Sequence, residues 1–193
     1  MTCHKENMGT IIHDKETLLQ IEAIRLDRET VTLDNGLETV VHVLRHPGAA
    51  AIVPFLDENT VVLLRQYRHA LGDYIWEIPA GTIDVGDESP LDCARRELLE
   101  ETGYQGVDFQ KLGVLAPAPG YSDECLHLFR ADNLIAGRQV LEADEMIEIK
   151  LMDFQTALHL VYTNEIRDAK TMTGLMLADH RRRQADQARP EEE

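Results

Sequence analysis

The sequence predicts an α/β (α+β) sandwich with a mixed sheet, preceded by a small N-terminal antiparallel β unit. Three observations carry this. Between Leu18 and Arg45, short strand-like runs are separated by turn chemistry, clearest at Asn35-Gly36. From Ala49 onward the order is strands, one helix, more strands, then two helices, the order of a layered α/β architecture. The middle helix carries its own start and stop signals. Ser89 is a hydroxyl N-cap, Pro90 occupies the first helical position, Asp92 follows three residues after the cap, and Gly103 ends the run.

The N-terminal unit ends in "ETVVHVLR", which alternates as a strand does, and Pro47-Gly48 then marks a seam. Past the seam, "AAAIVPFL" and "TVVLLRQYR" are apolar runs separated by the polar "DEN", and both read as buried strands. "YIWEIPAG" reads as one short strand leading into the helix. "VDFQKLGVL", "ECLHLFRA" and "MIEIKLM" supply further strands, and helices are predicted over about Asp153–Tyr162 and Asp168–Arg183. The resulting division is an N-terminal β unit over 1–47, a main domain over 48–183 and a charged tail over 184–193.

A hydrophobic fraction of 44% allows a true core. A formal charge of −16 argues against a nucleic-acid backbone or an anionic membrane as partner. If the ligand nevertheless carries phosphate, cations must bridge the two. Cys3, Cys93 and Cys125 are scattered and lack CxxC spacing, which supports neither a disulfide framework nor a zinc site and fits a reducing compartment. No apolar signal region opens the chain and no run approaches a membrane span, so the expected location is cytoplasmic.

The stretch "RRELLEETG" concentrates charge. Leu91, Ala94 and Leu98 share one face of the helix and would bury it on the sheet. Glu97 and Glu101 lie roughly 40° apart around the axis at 3.6 residues per turn, with Glu100 on their flank. Like charges at this spacing repel by a few tenths of a kcal/mol, about 0.2–0.5 per pair, so a solvated acidic face is the plain reading. The preceding "PAGTIDVGDE" changes the balance. It brings a glycine turn and the carboxylates of Asp84, Asp87 and Glu88 to the helix start, and hard cations such as Mg2+ or Mn2+ take carboxylate and carbonyl oxygens.

"GTIDVGDESPLDCARRELLEETGY" resembles the Nudix box, the loop–helix–loop signature G-x5-E-x7-R-E-U-x-E-E-x-G-U, in which U is a bulky aliphatic residue. Glu88, seven residues, and then Arg96-Glu97-Leu98-Leu99-Glu100-Glu101-Thr102-Gly103 match in spacing. Two positions depart. Six residues rather than five separate Gly81 from Glu88, so either the loop is one residue longer or Asp87 stands for the glutamate. Tyr104 occupies the final U position. "HPGAAAIVPF", "LLRQYRHAL", "WEIPAG" and "APGYSDE" are similar to the ADP-ribose pyrophosphatase branch of the family, in which a proline lies about sixteen residues past the box, as Pro119 does here.

The resemblance implies a Nudix-type α/β/α sandwich and Mg-dependent hydrolysis of the diphosphate bond of ADP-ribose or a related nucleoside diphosphate sugar. It implies metal ligation by the carbonyl of Ala80 and the carboxylates of Glu97 and Glu101, with Glu100 an added ligand or partner. Arg96 would hold the box glutamates by ion pairing. In "EADEMIEI", alignment on the branch selects Glu145 as catalytic base, with Glu142 its competitor. Arg68, and with it Arg65, would contact the diphosphate, Arg45 and Glu77 are weaker substrate candidates, and Pro119 lies on the substrate loop. The branch further implies a homodimer formed through the N-terminal β unit. GDP-mannose and ADP-glucose are alternative substrates, and a nucleotide-sugar sensor without hydrolysis is the reading from another class. Tyr67, Trp76 and Tyr121 read as core or rim aromatics before base platforms, and His42 and His46 as structural.

Overall fold

The computed structural model describes residues 9–83, 86, 88–141 and 146–187. Strands β1 (Ile11–Ile21), β2 (Ile24–Thr32) and β3 (Glu38–Arg45) form an antiparallel three-stranded sheet in that order. Its second turn uses Gly36 at φ 81°, while Asn35 contributes a side-chain oxygen that accepts the Leu37 N–H. Only the glycine takes the left-handed conformation, and the connection spans five residues from Leu33 to Leu37 rather than two.

Strands β4 (Ala49–Pro54), β5 (Thr60–Arg68), β6 (Asp73–Glu77) and β7 (Ala80–Thr82) lead to helix α1 (Pro90–Thr102). After it come β8 (Tyr104–Gln105), β9 (Asp108–Leu115), β10 (Leu126–Asp132), β11 (Ile135–Ala136) and β12 (Ile147–Asp153), then α2 (Phe154–Tyr162) and α3 (Ala169–Gln187). The sheet β7-β4-β10-β9 is mixed, because β10 runs parallel to β4 and the other pairs are antiparallel. A second sheet, β12-β5-β6, is wholly antiparallel, and β11 and β8 form a small ribbon.

The stretch expected as one strand, Tyr74–Gly81, divides between the two large sheets. Pro79 explains the break: it has no N–H to continue a ladder and its φ is locked. It still offers a carbonyl, which accepts the N–H of Ile52 at 2.9 Å. The Ile78-Pro79 step therefore carries the chain from β6 into β7, directly before the acidic loop.

Strand alternation makes the sandwich. Ala50 and Ile52 of β4 face α1, where they meet Cys93, Ala94 and Leu98. Ala49, Ala51 and Val53 face the other layer, with Leu175 and Ala178 of α3 and Phe154 and Ala157 of α2. Each fully buried Leu or Phe adds about 1.5–3 kcal/mol of apolar burial, so α1 is held on the sheet chiefly by Leu98. Its ends behave as expected: Ser89 Oγ accepts the Asp92 N–H at 3.2 Å, and Gly103 takes φ 72° while donating to Leu99.

The cysteine reading is corrected at one position. Cys93 is free and buried, but Cys125 is disulfide-bonded, with its partner outside the described residues. No helix among the described residues is long and apolar enough to cross a membrane.

Candidate active site

The site forms where the free edge of β7 meets the acidic face of α1. Because Ile52 and Pro79 make a hydrogen-bonded pair, ladder alternation places Ala80 and Thr82 in non-bonded positions, with their N–H and C=O groups turned away from β4. The side-chain contacts agree. The Ala80 N–H donates to Glu101 Oε2 at 2.9 Å, and the Thr82 carbonyl accepts Arg96 Nη2 at 3.1 Å. The Ala80 carbonyl is thus presented on the edge beside Glu101.

Arg96 is the hub of the helix face. Its Nε and Nη2 hold the two oxygens of Glu88 at 3.0 and 3.1 Å, and its Nη1 holds Glu97 at 2.5 Å and Glu100 at 3.0 Å. Three carboxylates share this one guanidinium. Their hydrogen bonds, those of Glu88 foremost, raise the Arg96 pKa further and keep it charged. Glu97 and Glu101 are buried side chains, at 8% and 3% exposure, whereas Glu100 is half-exposed. Cys93 packs beneath, its thiol donating to the carbonyls of Gly81 and Thr82, and burial pushes its pKa up to about 12.

The donor set suits a hard divalent cation: neighbouring carboxylates and a strand-edge carbonyl, oxygen throughout. Gly81 strengthens the fit. A Cβ there would lie 2.0 Å from Glu97 Oε1, so the absent side chain leaves the space that the carboxylate fills. Among the described residues no three acidic, histidine or cysteine side chains are already gathered as a metal cage. Glu97 already lies against Gly81 of β7 while paired with Arg96, and Glu100 is turned to the same guanidinium.

Of the other expected residues, Arg68 and Glu77 lie on this side of the molecule. Arg68 makes a two-pronged pair with Glu77 at 2.6 and 2.7 Å, which raises its pKa, and the charge of Glu101 adds to the shift. Glu77 is 1% exposed and also receives Lys170 of α3, so it orients Arg68 from beneath and is enclosed from solvent. Burial pushes the Glu77 pKa up, but Arg68 and Lys170 outweigh this and the net direction is down.

Arg65 and Arg45 are held by other partners. Arg65 is three residues from Arg68 on β5 and therefore points to the opposite face, where its guanidinium lies 5.2 Å from the Trp76 ring centroid. Arg45 is committed to Asp27, Glu29 and Asp123, with 2.9 Å to the last. It ties the N-terminal sheet to the loop 116–125 that carries Pro119 and Tyr121, both of them exposed. Tyr67 packs on Tyr74 at 5.3 Å as a rim aromatic.

Glu142 and Glu145 lie outside the described residues, as does Asp87. The chain on either side of 142–145 is anchored at the site. Gln139 Nε2 donates to the Glu101 carbonyl at 2.6 Å and Val140 N–H to that of Glu100 at 2.9 Å, while the Met146 carbonyl accepts the Tyr67 N–H at 3.2 Å. The sequence reading missed Asp168, Lys170 and Thr171, which reach the site from the start of α3 and the residue before it. No local spacing marks them, since they belong to the site only through packing.

Comparison with known proteins agrees with this geometry. The family model of the NUDIX domain matches residues 45–174. A Bacillus subtilis (strain 168) protein named ADP-ribose pyrophosphatase is 37% identical over 159 residues, 81% of this chain and 85% of that protein. A Bacillus methanolicus protein named methanol dehydrogenase activator is 34% identical over 171 residues, 86% of this chain and 92% of that protein. A solved structure described as an ADP compounds hydrolase superposes with a TM-score of 0.80 at 24% identity, covering 97% of this chain and 100% of that one, and so shares the fold. The matched span contains the loop, the β7 edge and the whole acidic helix, and the chain belongs to the Nudix family.

Proposed function

We propose that the protein is a Mg2+-dependent hydrolase of the diphosphate bond of ADP-ribose or a closely related nucleoside diphosphate sugar, giving AMP and ribose 5-phosphate from ADP-ribose. The observation that carries this is the buried Glu97/Glu101 pair set against the Ala80 strand edge, with Arg68 on the same side. A pyrophosphate is anionic, and an acidic pocket accepts it only through cations. A bound divalent cation would supply countercharge for the diphosphate and Lewis acidity at the attacked phosphorus.

The chain's own groups do the rest. Glu97, Glu101, Glu100 and the Ala80 carbonyl would hold the cation, Mg2+ or in its place Mn2+. Arg96 orients the glutamates and limits their mutual repulsion. Arg68, held at a fixed angle by Glu77, presents its remaining N–H groups to phosphate oxygens, a task that suits a planar guanidinium. Glu145 takes the proton of the attacking water as general base. Glu88 serves through Arg96, and Pro119 shapes the substrate loop.

We further propose a functional division into an N-terminal dimerisation unit (1–47), the hydrolase domain (48–183) and a tail (184–193), acting as a cytoplasmic homodimer. Every residue of β1 is exposed, among them Ile11, Ile12, Leu18, Leu19 and Ile21, an apolar set suited to a second copy.

The test is a panel of ADP-ribose, ADP-glucose and GDP-mannose, each digested with and without Mg2+. Glu97→Gln and Glu101→Gln are run beside wild type, with products resolved chromatographically. Turnover led by ADP-ribose, dependent on Mg2+ and lost in both variants, is the expected result. Preference for another sugar moves the substrate assignment, and tight binding with no turnover of any compound favours a sensor. Full activity in either variant removes the ligand assignment.

A further inference from the structure

The crossover from β6 to β7 is pinned at three consecutive residues by three different elements. The Ile78 N–H donates to Thr171 Oγ1 of α3 at 2.9 Å, the Pro79 carbonyl accepts from Ile52 of β4, and the Ala80 N–H donates to Glu101 of α1. The last two pins belong to the sheet and the site. The first comes from a helix whose sequence carries no signature of the site.

Thr171 is built for one orientation. It is 0% exposed, and its hydroxyl hydrogen is committed to Asp168 Oδ2 at 2.5 Å, so its lone pair faces Ile78. Asp168 also accepts the Thr171 N–H at 3.0 Å, which locks the first turn of α3. One turn on, Gly174 lets the helix sit against β4, since a Cβ there would lie 2.9 Å from Val53 Cγ2 and 3.0 Å from Ile78 Cδ1. Helix and crossover are therefore in rigid register. Pro79 passes that register on, because its ring removes one of the two backbone torsions between Ile78 and Ala80.

We infer that Thr171 is a positioning residue for the Ala80 carbonyl: its hydroxyl, oriented by Asp168, sets the pitch of the Ile78-Pro79-Ala80 crossover and so the direction in which that carbonyl meets a metal ion. The inference rests on the proposed metal-dependent reading of the same site. Removing the hydroxyl leaves a buried N–H without its acceptor, and the crossover must shift to find another.

The test uses the full-length chain as wild type, Thr171→Val, Thr171→Ala and Thr171→Ser. Mn2+ binding is followed by electron paramagnetic resonance titration without substrate, with circular dichroism as the fold control. Groups that orient a metal ligand from outside are worth about 10-fold or more in affinity, and Thr171 acts on Ala80 through Ile78 and Pro79, so Thr171→Val and Thr171→Ala should weaken binding by about 10-fold and Thr171→Ser should restore it. Thr171→Ala adds no bulk and keeps the test open should the valine variant not fold. A folded Thr171→Ala protein that binds Mn2+ as wild type does overturns the inference, as does a serine variant as impaired as the alanine one. Wild-type protein that binds Mn2+ yet hydrolyses no nucleotide sugar defeats the proposed reaction and leaves the positioning role standing.

Discussion

Replacing Gly81 with alanine adds a methyl group where the Glu97 carboxylate lies. The new Cβ would stand 2.0 Å from Oε1, 2.1 Å from Cδ and 2.5 Å from Oε2 of Glu97. Ordinary contact begins near 3.4 Å, so the carboxylate must retreat by about 1.4 Å, 3.4 less 2.0. The obstructed group is the end of a flexible side chain, and Gly81 does not use a positive φ, so the fold should accept the change with little loss. The site should not. A displacement of about 1 Å in a positioned group costs on the order of 100-fold in rate, or about 2.7 kcal/mol at 1.36 kcal/mol per decade. The measurement is kcat/KM for ADP-ribose across a Mg2+ titration, beside thermal unfolding of both proteins. Wild-type kcat/KM at saturating Mg2+ in a protein of unchanged Tm would refute the placement of Glu97 at the chemistry.

Other outcomes follow from the same contacts. Arg96→Lys keeps the charge but cannot span Glu88, Glu97, Glu100 and the Thr82 carbonyl together, so the Mg2+ concentration for half-maximal rate should rise more than the substrate KM. An unchanged metal requirement would contradict the hub role. Glu77 has a folded pKa below its ordinary 4.5, so its ion pairs add stability above pH 4.5 that is lost as pH falls through the lower folded value. Urea unfolding from pH 6 to pH 3 should therefore show a steeper acid loss in wild type than in Glu77→Gln. Leu19→Asp on exposed β1 should shift the protein toward monomer in sedimentation, and a dimer unmoved by that charge would place the interface elsewhere. Ser89→Ala removes the N-cap of α1 and should lower stability by about 1 kcal/mol in denaturant titration.

The box was legible because helical spacing is local. Glu97 and Glu101 share a face in any α-helix, Ser89-Pro90 and Gly103 announce its ends, and Arg96 lies one turn from Glu100 wherever the chain goes. The fold class was legible for the same reason, through strand alternation and turn residues. Harder to read was anything depending on which strand neighbours which. The break at Pro79 between two sheets, the opposite faces of Arg65 and Arg68, and the use of Arg45 as a strut among Asp27, Glu29 and Asp123 all arise from pairings between distant segments. Arg65 illustrates the limit: it sits in the same motif as Arg68, and only the two-residue strand period places it on the other face, beside Trp76.

By itself the sequence determined a capped acidic helix, its glycine loop, and the charge problem those carboxylates pose for an anionic ligand. These are set by the chain's own torsions and spacing, within a few residues. Tertiary structure alone decided that the free edge of β7 faces that helix, that Glu97 occupies the room Gly81 leaves, and that α3 reaches back through Thr171 and Lys170. The physical reason is that close packing joins residues such as Ile78 and Thr171, 93 positions apart, and no local spacing encodes such a contact.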